Sequence, residues 1–166
     1  MQMKPLFFLA SALAIIGAGC STGTAATPVG MPEVGLPTEA IDAQIRVWAP
    51  EGLNTFKINQ PIGLAVEVLG SEQVIFARDF GNRMFQYANE EWREVENVPT
   101  DWGEGSFLLS PSNGDPMEWQ ETEVFPWFGE TDSPILLRLF VIGHVYRQGA
   151  TTDDAVGAYV DVILRK

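Results

Sequence analysis

The sequence predicts an all-β chain folded as a two-layer antiparallel sandwich, and three observations carry that reading. Two segments alternate apolar and polar residues with the period of a strand that has one buried face. Turn signals built from Gly, Pro, Asn and Ser interrupt the chain at short intervals. No stretch carries a sustained helical stripe with capping residues at its ends. Short strands, frequent turns and no helix fit two sheets packed over one core.

The strands are expected in the following order. "QIRVWA" (44–49) and "TFKI" (55–58) are short β-rich runs flanking the turn residues Pro50 to Gly52. In "IGLAVEVLG" (62–70), Ile62, Leu64, Val66 and Val68 share one face and Gly63, Ala65 and Glu67 the other. "QVIFARDF" (73–80), "RMFQYA" (83–88), "WREVE" (92–96), "SFLLS" (106–110) and "EWQETEVF" (118–125) are further short candidates, separated by signals such as Gly70-Ser71, Gly81-Asn82 and Asn113 to Pro116. "ILLRLFVIGHVY" (135–146) follows Pro134 and is apolar on both parities, as a strand covered on both sides would be. In "AVGAYVDVILRK" (155–166), Val156, Ala158, Val160, Val162 and Leu164 point one way, and Tyr159, Asp161 and Arg165 the other.

This spacing resembles an immunoglobulin-like β-sandwich of about seven to nine strands, over residues 44–166. The resemblance is one of architecture, since the cysteine pair bracketing a tryptophan in true immunoglobulin domains is missing.

The chain begins differently. Residues 1–19 combine a short start carrying Lys4, an apolar run from Leu6 to Ile16 and the small residues Gly17, Ala18 and Gly19. The run is too short for a bilayer, which needs about 20 residues, and reads as a removable export signal. Ala18, Gly19 and Cys20 resemble the lipobox of bacterial lipoproteins, and Gly17 stands where that family usually has Leu. The resemblance, confined to this segment, implies a diacylglyceryl group on Cys20, the only cysteine, and a protein held outside the cytoplasm on a membrane. Cleavage at the small-x-small site Thr24, Ala25, Ala26 is the alternative, and would release a secreted protein. Residues 20–43 are rich in Thr, Ala, Gly and Pro, contain no aromatic residue and read as a flexible linker. Beyond Cys20 no cysteine remains for a disulfide, so the domain must rest on packing.

The charge balance excludes one class of partner. Ten basic residues face 22 acidic ones, a net charge of −12, and of the basic residues only Lys4 precedes Cys20. Such a chain lacks the basic clusters that nucleic-acid phosphates require.

Catalytic motifs are equally scarce. The single histidine, His144, falls at the end of the most apolar strand, where a strand-end histidine held by a backbone carbonyl is the usual case. Ser106 in "GEGSF" lacks the frame of a nucleophile elbow, and no zinc, thiol-redox or phosphate-loop motif occurs. No cofactor is expected. Calcium is the one ion that clustered loop acids would suit outside a cell, with Asp79, Asp115, Glu118, Asp153 and Asp154 as candidate ligands.

The tryptophans are more suggestive. Trp92, Trp102, Trp119 and Trp127 all fall in two acidic stretches, 89–105 and 115–132, and only Trp48 lies elsewhere. Aromatic faces beside carboxylates suit either a sugar ring or a protein partner, although large rings also fill sandwich cores. On a strand Trp119 would share its face with Glu121 and Glu123 and be exposed. The expectation is a non-catalytic binding or structural module of the cell envelope, acting on another envelope or extracellular protein. A carbohydrate-binding module is the alternative and a small hydrolase the third reading.

Overall fold

The computed structural model describes residues 30–37, 40–41, 44–49, 54–96, 105–112, 119–129, 131 and 133–166. All ten β-rich stretches form strands: β1 Ile45–Trp48, β2 Thr55–Lys57, β3 Ile62–Val68, β4 Gln73–Ala77, β5 Arg83–Ala88, β6 Glu91–Val95, β7 Ser106–Leu109, β8 Trp119–Val124, β9 Ile135–Arg147 and β10 Ala150–Arg165. The described residues form no α-helix. The strand count exceeds the expected seven to nine because β2, only three residues long, finds a place by pairing in parallel with residues 163–165 at the end of β10.

The strands divide into a three-stranded sheet, β1-β3-β8, and a seven-stranded sheet built on β9. One edge of β9 carries β10 in antiparallel register from Ile135↔Leu164 to Ala155↔His144. The other edge carries two strands end to end. Residues 83–87 of β5 pair with 136–140, and residues 73–76 of β4 pair with 143–146. β6 then adds to β5, and β7 to β4. The turn at 78–82 lies between β4 and β5, and the Phe80 carbonyl accepts a 2.9 Å hydrogen bond from the Ile142 amide, so the ladder continues across the step.

Alternation decides which residues face inward. Ile62, Leu64, Val66 and Val68 of β3 meet Leu137, Leu139, Val141, Val156, Ala158, Val162 and Leu164 of the larger sheet in one core, each at most 1% exposed. Each such side chain contributes roughly 1.5–3 kcal/mol by leaving water. The opposite face of β3 is also covered, unlike that of the expected half-buried strand. Ala65 is fully buried opposite Trp48, and Glu67 is 8% exposed because Arg46, its register partner on β1, binds its carboxylate.

The outer face of the larger sheet carries a second cluster, and this corrects the linker reading. Val34 packs with Phe85 and Phe140, joined by Leu36, Ile41, Trp92, Ile142 and Tyr159. Ile41 forms a parallel bridge with Gly157. Gly157 makes the approach possible: a Cβ there would sit 2.3 Å from Leu36 Cδ1. The described part of the Pro- and Gly-rich segment, 30–37 with 40 and 41, is therefore a strap laid on the sheet. Apolar residues spaced through it supply the burial that its average composition conceals. Cys20 and residues 1–29 lie outside the described residues.

Candidate functional site

The strap covers only half of the outer face. Under it Arg138, the one charged residue in the apolar run of β9, is 3% exposed. Its Nε and Nη2 donate to the two carboxylate oxygens of Asp161, its register partner on β10, at 2.7 and 2.8 Å. Nη1 donates to the Gly30 carbonyl of the strap and lies 3.9 Å from Met31 Sδ. The guanidinium carbon stands 4.5 Å from the Trp92 ring centre and 4.3 Å from that of Tyr159. A buried cation so enclosed has its charge and most of its donors met within the protein. It holds the strap down and does not present a reactive group.

The described strap does not reach the other half of the outer face. Register places Leu108 of β7, Ile75 of β4, His144 of β9 and Ala155 of β10 in one row across four strands, with Gln73 beside Tyr146 in the next row. Leu108 is 41% exposed, Ile75 and Ala155 are half-buried and His144 is exposed. His144 is not at a strand end, as expected, because β9 continues to Arg147 before the Gln148-Gly149 turn. Both turn residues have positive φ, 52° and 82°, the geometry that suits a two-residue hairpin.

A charged cluster stands at the hairpin end of β9. Arg147 donates to both carboxylate oxygens of Glu72 and, at 2.9 Å, to Asp154. The Glu72 carboxyl is held below its ordinary value chiefly by that hydrogen bond, and the Arg147 guanidinium is raised by the same partner. Nearby, the β10 register shifts between Thr151 and Ala155, and Thr152 Oγ1 fills the irregularity by donating to the Val145 carbonyl at 2.8 Å.

The calcium candidates among the described residues do not converge. Asp79 accepts a 3.0 Å bond from the Gly81 amide within the β4–β5 turn, Asp154 is engaged by Arg147, and Asp153 is exposed on β10. Asp115 and Glu118 lie outside the described residues. Among the described residues no three His, Cys, Asp or Glu side chains are grouped to hold a metal ion.

The tryptophans part company. Trp92 is half-buried, edge-on to Tyr87 with centroids 5.1 Å apart, and serves the strap cluster. Trp127 is 61% exposed on the segment after β8, where neighbouring Phe128 is fixed by two hydrogen bonds to the Asn59 side chain, 2.9 and 3.1 Å. Trp48 lies under the Arg46 guanidinium at 4.8 Å. Trp102 lies outside the described residues. Trp119 pairs through its backbone opposite Glu67, and its side chain is outside them.

Sequence reasoning missed the pair Arg138 and Asp161. The signal was present as two opposite charges, Arg138 within "ILLRLFVIG" and Asp161 within "AVGAYVDVIL", each flanked by apolar residues.

No protein-family model matches the sequence, and no curated protein matches it. Among solved structures, the chain is similar to Spo0M, a sporulation control protein from Bacillus subtilis, with 11% identity and a TM-score of 0.41 over 74% of this chain. The chain spans about half of that protein, 49%. It is also similar to AvmM, which catalyses macrocyclization in alchivemycin A biosynthesis, with 13% identity and a TM-score of 0.31 over 84% of this chain and 97% of that one.

Proposed function

We propose that the chain is an envelope lipoprotein whose immunoglobulin-like sandwich, anchored through Cys20, binds another envelope or extracellular protein without catalysing a reaction. The observation that supports the binding role is the row Leu108, Ile75, His144 and Ala155, with Leu108 and His144 exposed, on the half of the sheet that the described strap does not cover. The lipobox-like residues Ala18, Gly19 and Cys20 support the anchor.

The test places a photo-crosslinking residue at His144, or at exposed Glu123 of the other sheet, in the full chain in its native envelope. A discrete adduct from His144 alone supports the reading, while identical patterns from both sites or no adduct at all refute it. Mass spectrometry of the mature protein reads the anchor separately: an unacylated start beyond residue 20 removes it.

A second reading, binding of carbohydrate, draws on Trp127, whose exposed ring beside the acidic residues of 115–132 is free to stack on a sugar face. A glycan panel read by tryptophan fluorescence distinguishes it, since only this reading requires a response that Trp127→Ala abolishes.

A further inference from the structure

One nitrogen of the buried guanidinium is poorly matched. Nε and Nη2 of Arg138 are taken up by the Asp161 carboxylate at 2.7 and 2.8 Å. Nη1 carries two N–H groups: one serves the Gly30 carbonyl, and the further acceptor that faces this nitrogen is the Met31 thioether, 3.9 Å away. Sulfur of that kind accepts only weakly.

Met31 also differs from its neighbours in the strap. Pro32 and Val34 are buried, whereas Met31 and Glu33 alternate outward, and Met31 is 41% exposed. It lies outside the apolar cluster that holds Val34, Leu36 and Ile41. The side chain thus stands open to solvent while its sulfur addresses a cation. Among the described residues the other methionine, Met84, is 1% exposed within the core.

We propose that Met31 is a site of oxidation whose sulfoxide latches the strap to Arg138. Hydrogen peroxide transfers one oxygen atom to the sulfur: the O–O bond breaks, an S–O bond forms, the sulfur gives up two electrons, and the second oxygen leaves as water with both peroxide hydrogens. A strong acceptor then stands where a weak one was. With 3.9 Å between the sulfur and Nη1 there is room for that oxygen to bond the nitrogen, since an N–H donor and its oxygen acceptor sit about 2.9 Å apart. Oxidation commonly loosens a structure, because it makes a packed apolar side chain polar. Here the side chain is exposed and faces a guanidinium, so the same change adds a charge-assisted hydrogen bond. The inference is independent of the protein-binding reading.

The test treats the full, folded chain in detergent with dilute hydrogen peroxide and follows each methionine-containing peptide by mass spectrometry. Met31 should gain one oxygen well before Met84. Amide hydrogen exchange is then compared before and after: residues 33–36 and Ile41 should exchange about tenfold more slowly in the oxidised protein, the equivalent of one hydrogen bond to a charged group. Two variants at this exposed position isolate the contact. In Met31→Leu peroxide should leave strap exchange unchanged, and Met31→Gln, whose amide oxygen stands in for the sulfoxide, should slow it with no oxidant present. Oxidation of Met84 as fast as Met31, unchanged or faster strap exchange after oxidation, the same slowing in Met31→Leu, or no slowing in Met31→Gln overturns the proposal.

Discussion

Arg138 and Asp161 face each other across the β9–β10 pair, joined by two hydrogen bonds of 2.7 and 2.8 Å, with side-chain exposures of 4% and 17%. Removing one partner from such a pair leaves an uncompensated buried charge. Asp161→Ala should destabilise the domain by about 3 kcal/mol, whereas the double change Arg138→Met with Asp161→Leu should recover most of the loss. Urea unfolding of the two variants and the wild type measures the difference.

The strap gives a second expectation. Val34→Asp places a charge among Phe85, Phe140 and Ile142, and should detach residues 30–41 while leaving the core between the sheets formed. Hydrogen exchange should then rise at Ile41 and along the outer rows of β9 and β10, with Leu64 and Leu139 still protected. Equal loss of protection throughout would mean that strap and core unfold as one unit.

Two glycines with positive φ should respond differently to alanine. At Gly149 (φ 82°) nothing lies within 4 Å of the new Cβ, and the cost is the left-handed backbone alone, roughly 1–2 kcal/mol. At Gly81 the same term is joined by the 2.6 Å approach to a backbone oxygen that belongs to the sheet and cannot swing aside. Gly81→Ala should therefore lower the denaturant midpoint well beyond Gly149→Ala.

Acid should weaken the protein through its surface pairs. Hydrogen bonds from Arg147 and Arg83 hold the Glu72 and Glu94 carboxyls below their ordinary value of 4.5 in the folded state. Each pair's contribution is thus present above 4.5 and lost as pH falls through the lower folded value. Arg83→Gln and Arg147→Gln should each flatten the decline in urea midpoint below that pH. The effect should be modest and diminish in high salt, because both pairs are exposed.

The tryptophans separate stability from surface. Trp92→Ala opens the strap cluster and withdraws a ring from Arg138, and should cost about 2 kcal/mol. Trp127→Ala should stay within about 0.5 kcal/mol of wild type, as is usual for an exposed position.

Every strand was legible because alternation is dictated by the pleat: the inward rows of β3 and β10 coincide with those read from Ile62 to Val68 and from Val156 to Leu164. The strap was not legible, since Thr, Pro and Gly between its apolar residues lower the average that marks a folded segment, and its burial depends on Gly157 more than a hundred residues away. For Trp92 the sequence left a binding aromatic and a core ring both open. What places it under the strap is Arg138, which no local window joins to it.

The position of β10 sets the order in which this protein can be made. The last sixteen-residue strand pairs with β9, receives β2 at Ile163 to Arg165 and offers Gly157 to the strap, so elements from both ends of the chain wait for it. Contacts this distant in sequence form late and slowly. Until β10 is made, β2 has no strand to pair with among those described, and the strap lacks the Gly157 seat that admits Leu36 and Ile41.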